Sequence, residues 1–205
     1  MKKLVFILLA TLSLTGMRAQ ERDPAYVRTI SQRTDKNMSG LGITDPQAAA
    51  RVKEAIMNHY FTINDLDGRR DSLRKAGADA RFIAAYVDAE LYRHHFAFLS
   101  ELMLDLNDEQ IEEVKNALTY NVLNVTYQAQ LDMIPTLTEA QKKRIYAWLA
   151  EARELAMDAG SSKAKHGIFG KYKGKINNYL SKEGYNLTRE REAWNERIKQ
   201  RKARQ

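Results

Sequence analysis

Four times in this chain a polar capping residue stands directly before an amphipathic run, and that punctuation leaves little choice of fold. Asp23-Pro24, Thr44-Asp45-Pro46-Gln47, Asn107-Asp108-Glu109-Gln110 and Thr138-Glu139-Ala140-Gln141 each supply a side-chain oxygen for the free N–H groups of a first helical turn. Three of them place Gln three residues after the cap, where it can reach back and close a capping box, and Pro24 sits where a helix tolerates proline best. The apolar residues behind these starts recur at spacings of three and four. Val52, Ala55, Ile56, Tyr60 and Ile63 form one such stripe, and Phe82, Ile83, Tyr86, Val87, Leu91, Phe98, Leu99 and Leu102 form another. Ile111, Val114 and Leu118, and then Ile145, Trp148, Leu149, Ala152 and Leu155, continue the pattern. Only Thr119 to Tyr127 gathers β-branched residues, and with no partner strand it reads as a helical connection or an irregular loop. The predicted class is all-α, a single-domain bundle of about six to eight helices.

The punctuation also sets expected boundaries. The first helix closes near Ser39-Gly40, and Thr44 caps the second, with Gln47 completing its box. The polar segment Asp65 to Ala80, with Gly68 and Gly77, reads as a turn or a frayed end. The helix begun at Thr138 stops near Asp158-Ala159-Gly160, where Gly160 suits a left-handed cap, and Ser161 or Ser162 starts the next. Ser181 to Asn186 is a turn, Thr188 opens a last charged helix, and Lys199 to Gln205 frays. Leu137 to Gln141 also matches the Leu-Thr-x-x-Gln signature of small periplasmic stress chaperones. Asn107 departs from that signature, and the capping box serves any helix.

The N-terminus reads as a secretory signal over residues 1–19: Lys2 and Lys3, the apolar run Leu4 to Leu14, then Met17-Arg18-Ala19, with cleavage expected after Ala19. The run is shorter than the roughly 20 residues of a membrane span. The chain has no cysteine, which excludes disulfides and a lipid anchored through cysteine. Residues 20–205 are expected to be one helical domain, free in the periplasm or outside the cell. Charge in it is uneven: residues 163–205 hold thirteen Lys/Arg against four Glu, and residues 20–162 hold seventeen against twenty-two Asp/Glu. A basic third beside an acidic body suits an anionic partner or is simply a solvated face. Export makes polysaccharide the expected partner, with no nucleic acid and no stable membrane anchor.

The chemistry concentrates in Met157 to Leu180, which holds three aromatics, five lysines, two asparagines, a histidine and four glycines. As a helix it puts Phe169, Tyr172, Ile176, Tyr179 and Leu180 on one face, with Gly167, Gly170 and Gly174 on a neighbouring strip. A helical glycine costs about 1 kcal/mol relative to alanine, so three of them suggest close approach of a helix or a ligand. The candidate ligand-binding set is Asp158, Ser161, Lys165, His166, Phe169, Lys171, Tyr172, Lys173, Asn177, Asn178 and Tyr179. Tyr120 and Tyr127 join it, being seven apart and on one face if their segment is helical. Aromatic faces stack on sugar rings, amides bond hydroxyls and lysines attract carboxylates or sulfates. The alternative is a basic helix whose aromatic stripe packs into the core. His94 and His95 are adjacent, so they point about 100° apart on a helix and form no two-ligand metal face. No metal or cofactor is expected.

Several segments resemble one family. They are Leu118 to Val122, Val125 to Tyr127, Leu131 to Pro135, Ala147 to Glu154, Ala156 to Ser162 with Lys165-His166, and Phe169 to Leu180. They are similar to exported bacterial proteins described as sugar-binding, the domain of unknown function 3826. The resemblance spans most of the mature chain and is densest from Leu118 to Leu180. It implies carbohydrate binding and brings no catalytic residues with it. An aromatic often found in that family at the position of Ile168 is missing here.

The expectation is therefore an exported carbohydrate-binding protein, with an acidic polysaccharide or its fragments among the candidate ligands. Two alternatives stand beside it: a polysaccharide lyase or hydrolase, and a helical periplasmic chaperone. For an enzyme, Asp158 with His166 is a conceivable acid/base pair, and Asp132 and Glu154 contribute only if the fold brings them to Asp158.

Overall fold

The computed structural model describes residues 22–204, and the proposed signal and its cleavage site lie outside them. The described residues form eight helices and no strand: α1 (Pro24–Met38), α2 (Pro46–Lys75), α3 (Ala80–Leu102), α4 (Asp108–Leu118), α5 (Val122–Met133), α6 (Glu139–Met157), α7 (Ser162–Lys182) and α8 (Leu187–Ala203). No described helix is long and apolar enough to cross a membrane.

The caps explain most boundaries. Asp23 accepts from the Ala25 N–H, and Asn107 with Gln110 and Thr138 with Gln141 close complete capping boxes. At the second start the cap is Asp45 and not Thr44. Pro46 occupies the first helical position, and the Asp45 carboxylate accepts from the N–H groups of both Gln47 and Ala48. The last helix is likewise capped by Asn186, one residue before Leu187.

Two further expectations are corrected and one is narrowed. Asp65 to Lys75 is neither a turn nor frayed but the second half of α2. Asp67–Arg70 and Asp71–Arg74 pair at i,i+3 along it, and the left-handed break comes at Gly77 (φ 76°). The ambiguous Thr119 to Tyr127 segment is helical from Val122 onward, entered through Tyr120 (φ 58°) and Asn121 (φ 56°) in the left-handed region. The C-terminal helix does not fray at Lys199 but continues to Ala203. Trp194 and Arg201 both bond the Asp132 carboxylate at 2.6 Å, and Arg197 donates to the carbonyls of Asp132 and Met133, at the end of α5. A cation at orphan C-terminal carbonyls is favoured by both hydrogen bonding and the helix dipole.

The apolar residues gather in two clusters. One joins α5, α6 and α7 around Leu123, Ile145, Leu149, Phe169, Ile176 and Leu180; the other joins α2, α3 and α4 around Val52, Ile56, Phe98, Leu102, Val114 and Leu118. Helix α6 serves both, since Ala156 belongs to the first and Met157 to the second. The zone between them is polar. Arg153, 4 % exposed, bonds Asn116 (2.9 Å), Glu112 (2.6 Å) and Glu154 (3.1 Å). The Met157 carbonyl at the end of α6 accepts from Lys165 Nζ (3.1 Å) and lies 3.2 Å from Nε2 of the fully buried His59.

Candidate functional site

A cleft of about 870 Å³ opens where α2 and α3 face the α6–α7 hairpin. The second half of α2 contributes Ile63, Leu66, Asp67 and Arg70. Helix α3 contributes Asp88, Leu91, Tyr92, His95 and Phe96. On the opposite side stand Glu154, Leu155 and Asp158 at the end of α6, the turn Ala159 to Ser161, and Ala164, Ile168, Lys171 and Tyr172 on α7. Large apolar side chains are left in solvent here. Tyr92 is 68 % exposed and Phe96 52 %, the two rings meeting edge-on at 4.9 Å, and Leu155 is exposed beside them.

At the cleft wall His95 Nδ1 lies 2.9 Å from Asp158 Oδ2, and His95 Nε2 lies 3.6 Å from Glu154 Oε2. The hydrogen bond to Asp158 raises the imidazole above the ordinary histidine value, against the opposing effect of burial. Glu154 is held in turn by Lys115 at 3.2 Å and Arg153 at 3.1 Å. Asp158 Oδ1 is buried with no hydrogen-bond partner. Across the turn, Gly160 has a specific steric reason. A Cβ built on it would stand 2.0 Å from Asp67 Oδ2, so any other residue here would push that carboxylate aside from the start of α7. The left-handed cap expected of Gly160 is not formed; the glycines with positive φ are Gly42, Gly77 and Gly184, and α6 ends at Asp158. Ser161 caps α7, accepting from the Ala164 N–H at 3.1 Å.

The structure divides the sequence-predicted set. Asp158, Ser161, Lys171 and Tyr172 line the cleft. Phe169 is 1 % exposed and packs in the core with Ile176 and Leu180, so that part of the aromatic face is packing. Lys165 is corrected from ligand contact to buried support, 4 % exposed. Its ammonium donates to the Leu118 and Met157 carbonyls, which end α4 and α6, and burial pushes it down to about 8. His166 is not the partner of Asp158; it stacks on Tyr120 at 5.5 Å, and His95 takes the place at the carboxylate.

Tyr120 precedes α5 in a left-handed turn, so it does not share a helix face with Tyr127. Tyr127 meets Tyr146 edge-on and packs on the first cluster. Neither tyrosine lines the cleft. Lys173, Asn177, Asn178 and Tyr179 also lie outside it, with Tyr179 half-buried and edge-on to Trp148. Of the carboxylates considered for catalysis, Glu154 reaches Asp158's neighbourhood and Asp132 is committed to anchoring α8. Gly167, Gly170 and Gly174 admit no neighbouring helix, since a Cβ at each would meet nothing within 4 Å.

The α2 and α3 residues were missed because nothing local marks them. Tyr92 and Phe96 are four apart, as in any helical stripe, and only their exposure separates them from core. Among the described residues no group of three or more His, Cys, Asp or Glu is placed to hold a metal ion.

A family model described as "Protein of unknown function (DUF3826)" matches residues 27–200. The chain belongs to this family. No curated protein matches it. The DUF3826 match contains every residue of the cleft, from Ile63 on α2 to Tyr172 on α7.

Proposed function

We propose that this DUF3826 protein is an exported carbohydrate-binding protein and that a glycan lies in the cleft between α2–α3 and the α6–α7 hairpin. The observation that carries the reading is the exposure of Tyr92 and Phe96, with Tyr172 opposite, around convergent polar groups. Burying such rings in the core would gain the chain about 1.5–3 kcal/mol each, so leaving them in water at a cleft suits stacking on the apolar face of a sugar. Asp67, Asp88, His95 and Asp158 supply acceptors and donors for ring hydroxyls. The volume falls within the roughly 300–1,000 Å³ of small-ligand pockets. Export rests on the charged and apolar pattern of residues 1–19.

The test is a glycan array followed by calorimetry on the hits. Tyr92→Ala and Tyr172→Ala each weaken binding about tenfold, about 1.4 kcal/mol. The melting temperature of Tyr92→Ala stays close to the parent because that ring is 68 % exposed, whereas Tyr172→Ala also loses packing on the first cluster and melts lower. A glycan that binds both variants like the parent, or an array without hits, removes this assignment.

A second reading, a polysaccharide-processing enzyme, is favoured by one observation. His95 is oriented through Nδ1 by a carboxylate and presents Nε2 towards a second one, inside the same cleft. A histidine so held can deliver or take a proton at a glycosidic oxygen or a ring carbon.

A further inference from the structure

The cleft has a continuation. Lys171 lines it and also lines a groove of about 680 Å³ on the α6–α7 surface, together with Trp148, Gly174, Lys175, Asn178 and Lys182. Trp148 and Tyr179 meet edge-on in the wall of this groove at 5.3 Å. The Lys175 ammonium stands 4.7 Å from the centre of the Trp148 ring and 5.2 Å from that of Tyr172, so Tyr172 connects the two depressions through its contact with Lys175. Groove and cleft thus share one ridge, made of Lys171 and Tyr172.

Their charge balance differs. The cleft carries Asp67, Asp88, Glu154 and Asp158 against Arg70, Lys171 and His95. The groove carries Lys171, Lys175 and Lys182 and no acid of its own, and Arg144 adds a cation 5.7 Å from the Trp148 ring. Glu151 lies 3.6 Å from Lys175 and offsets part of that charge. No carboxylate stands within salt-bridge distance of Lys171 or Lys182 among the described residues. Gly174 leaves the groove floor as bare helix backbone, and no neighbouring helix uses the space. An anionic group is therefore favoured over the groove more than in the cleft, and the aromatic ring beside it offers a stacking surface.

Resting on the carbohydrate reading of the cleft, we propose that the groove is a second subsite for an acidic sugar of the same chain. The ligand is an oligosaccharide with a neutral, hydroxyl-rich unit in the cleft and a uronate or sulfated unit across the Lys171–Tyr172 ridge, over Trp148, Lys175 and Lys182. The two depressions read one strand in a fixed order, which gives the acidic-polysaccharide preference a location and a register.

The experiment uses oligosaccharides that contain one uronate among neutral units, each compared with its carboxyl-reduced counterpart. Calorimetry is run on the full mature chain at two salt concentrations. The uronate form binds the parent at least fivefold tighter at low salt, and the preference shrinks at high salt. In a Lys175→Gln/Lys182→Gln variant, which keeps much of the aliphatic stems, the two forms bind alike. Tyr92→Ala weakens both forms by the same factor. Equal affinity of the parent for the two forms overturns the second subsite and leaves the carbohydrate reading of the cleft in place. Selectivity that persists in the double variant also overturns it. Absence of binding by both forms, with an array lacking hits, overturns the cleft reading and this inference together.

Discussion

His95 shows how a single residue changes meaning between sequence and fold. Its sequence neighbours, His94 and Phe96, give no sign of a partner, and Asp158 lies 63 positions away. Sequence proximity suggested His166 for that carboxylate, but His166 is turned to Tyr120 and stacks on it at 5.5 Å. The hydrogen bond to Asp158 raises the His95 imidazole, so its NMR titration falls at higher pH than that of an ordinary histidine, and Asp158→Asn moves it down. If the cleft also processes the glycan, His95→Gln releases no product at saturating glycan, while the parent releases it. A titration unmoved by Asp158→Asn removes the carboxylate as the controlling partner. Two other residues were legible by type but not by reason. Gly160 marked the α6–α7 turn, but it faces the Asp67 carboxylate and does not serve a left-handed cap. Lys165 read as one basic residue among several until the ends of α4 and α6 were seen to meet at its ammonium.

At the scale of the element, starts were more legible than functions. The capping boxes at Asn107 and Thr138 form as their spacing dictates, because a cap is a contact within one helical turn. The second half of α2 was missed because its apolar residues thin to Leu66 and Leu73 among charged neighbours and Gly68, with Asp67–Arg70 and Asp71–Arg74 paired at i,i+3 along it. Helix α7 is the informative case. Its buried stripe, Phe169, Ile176 and Leu180, was legible as a period, whereas which aromatics stay outside depends on where α2, α3 and α6 lie. Gly167 and Gly170 are helical, have φ in the ordinary range and would meet nothing with an added Cβ. Their replacement by alanine therefore meets no clash and removes backbone freedom from the unfolded chain. The Gly167→Ala/Gly170→Ala variant gains about 0.4–1 kcal/mol per site in urea unfolding. A loss of stability there would mean that this strip packs against something in the folded protein.

Across the whole molecule, the polar seam between the two apolar clusters links packing to pH. His59 on α2 is fully buried, stacked on Phe98 at 4.2 Å, with His94 Nε2 3.1 Å from its Nδ1 and the Met157 carbonyl 3.2 Å from its Nε2. Burial pushes it down to about 3, aided by repulsion from His94, so it is neutral in the fold where an unfolded chain would protonate it near 6.5. Between those values the unfolded state binds more protons, and stability falls as pH falls through the window, at a slope of up to about 1.4 kcal/mol per pH unit. His95 acts with the opposite sign. Its folded value is raised, so its contribution is complete below about 6.5 and is lost as pH rises through the folded value. Together they place their combined optimum close to the unfolded histidine value. His59→Gln removes the acid-side term, so its unfolding free energy falls less steeply with acidity between about pH 4 and 6 than the parent's, whatever its absolute stability. Urea titrations of parent and variant at several pH values read that slope directly. Parallel slopes would show that His59 takes up its proton inside the fold, and that the seam joining α2, α6 and α7 admits water at the point where the cleft meets the core.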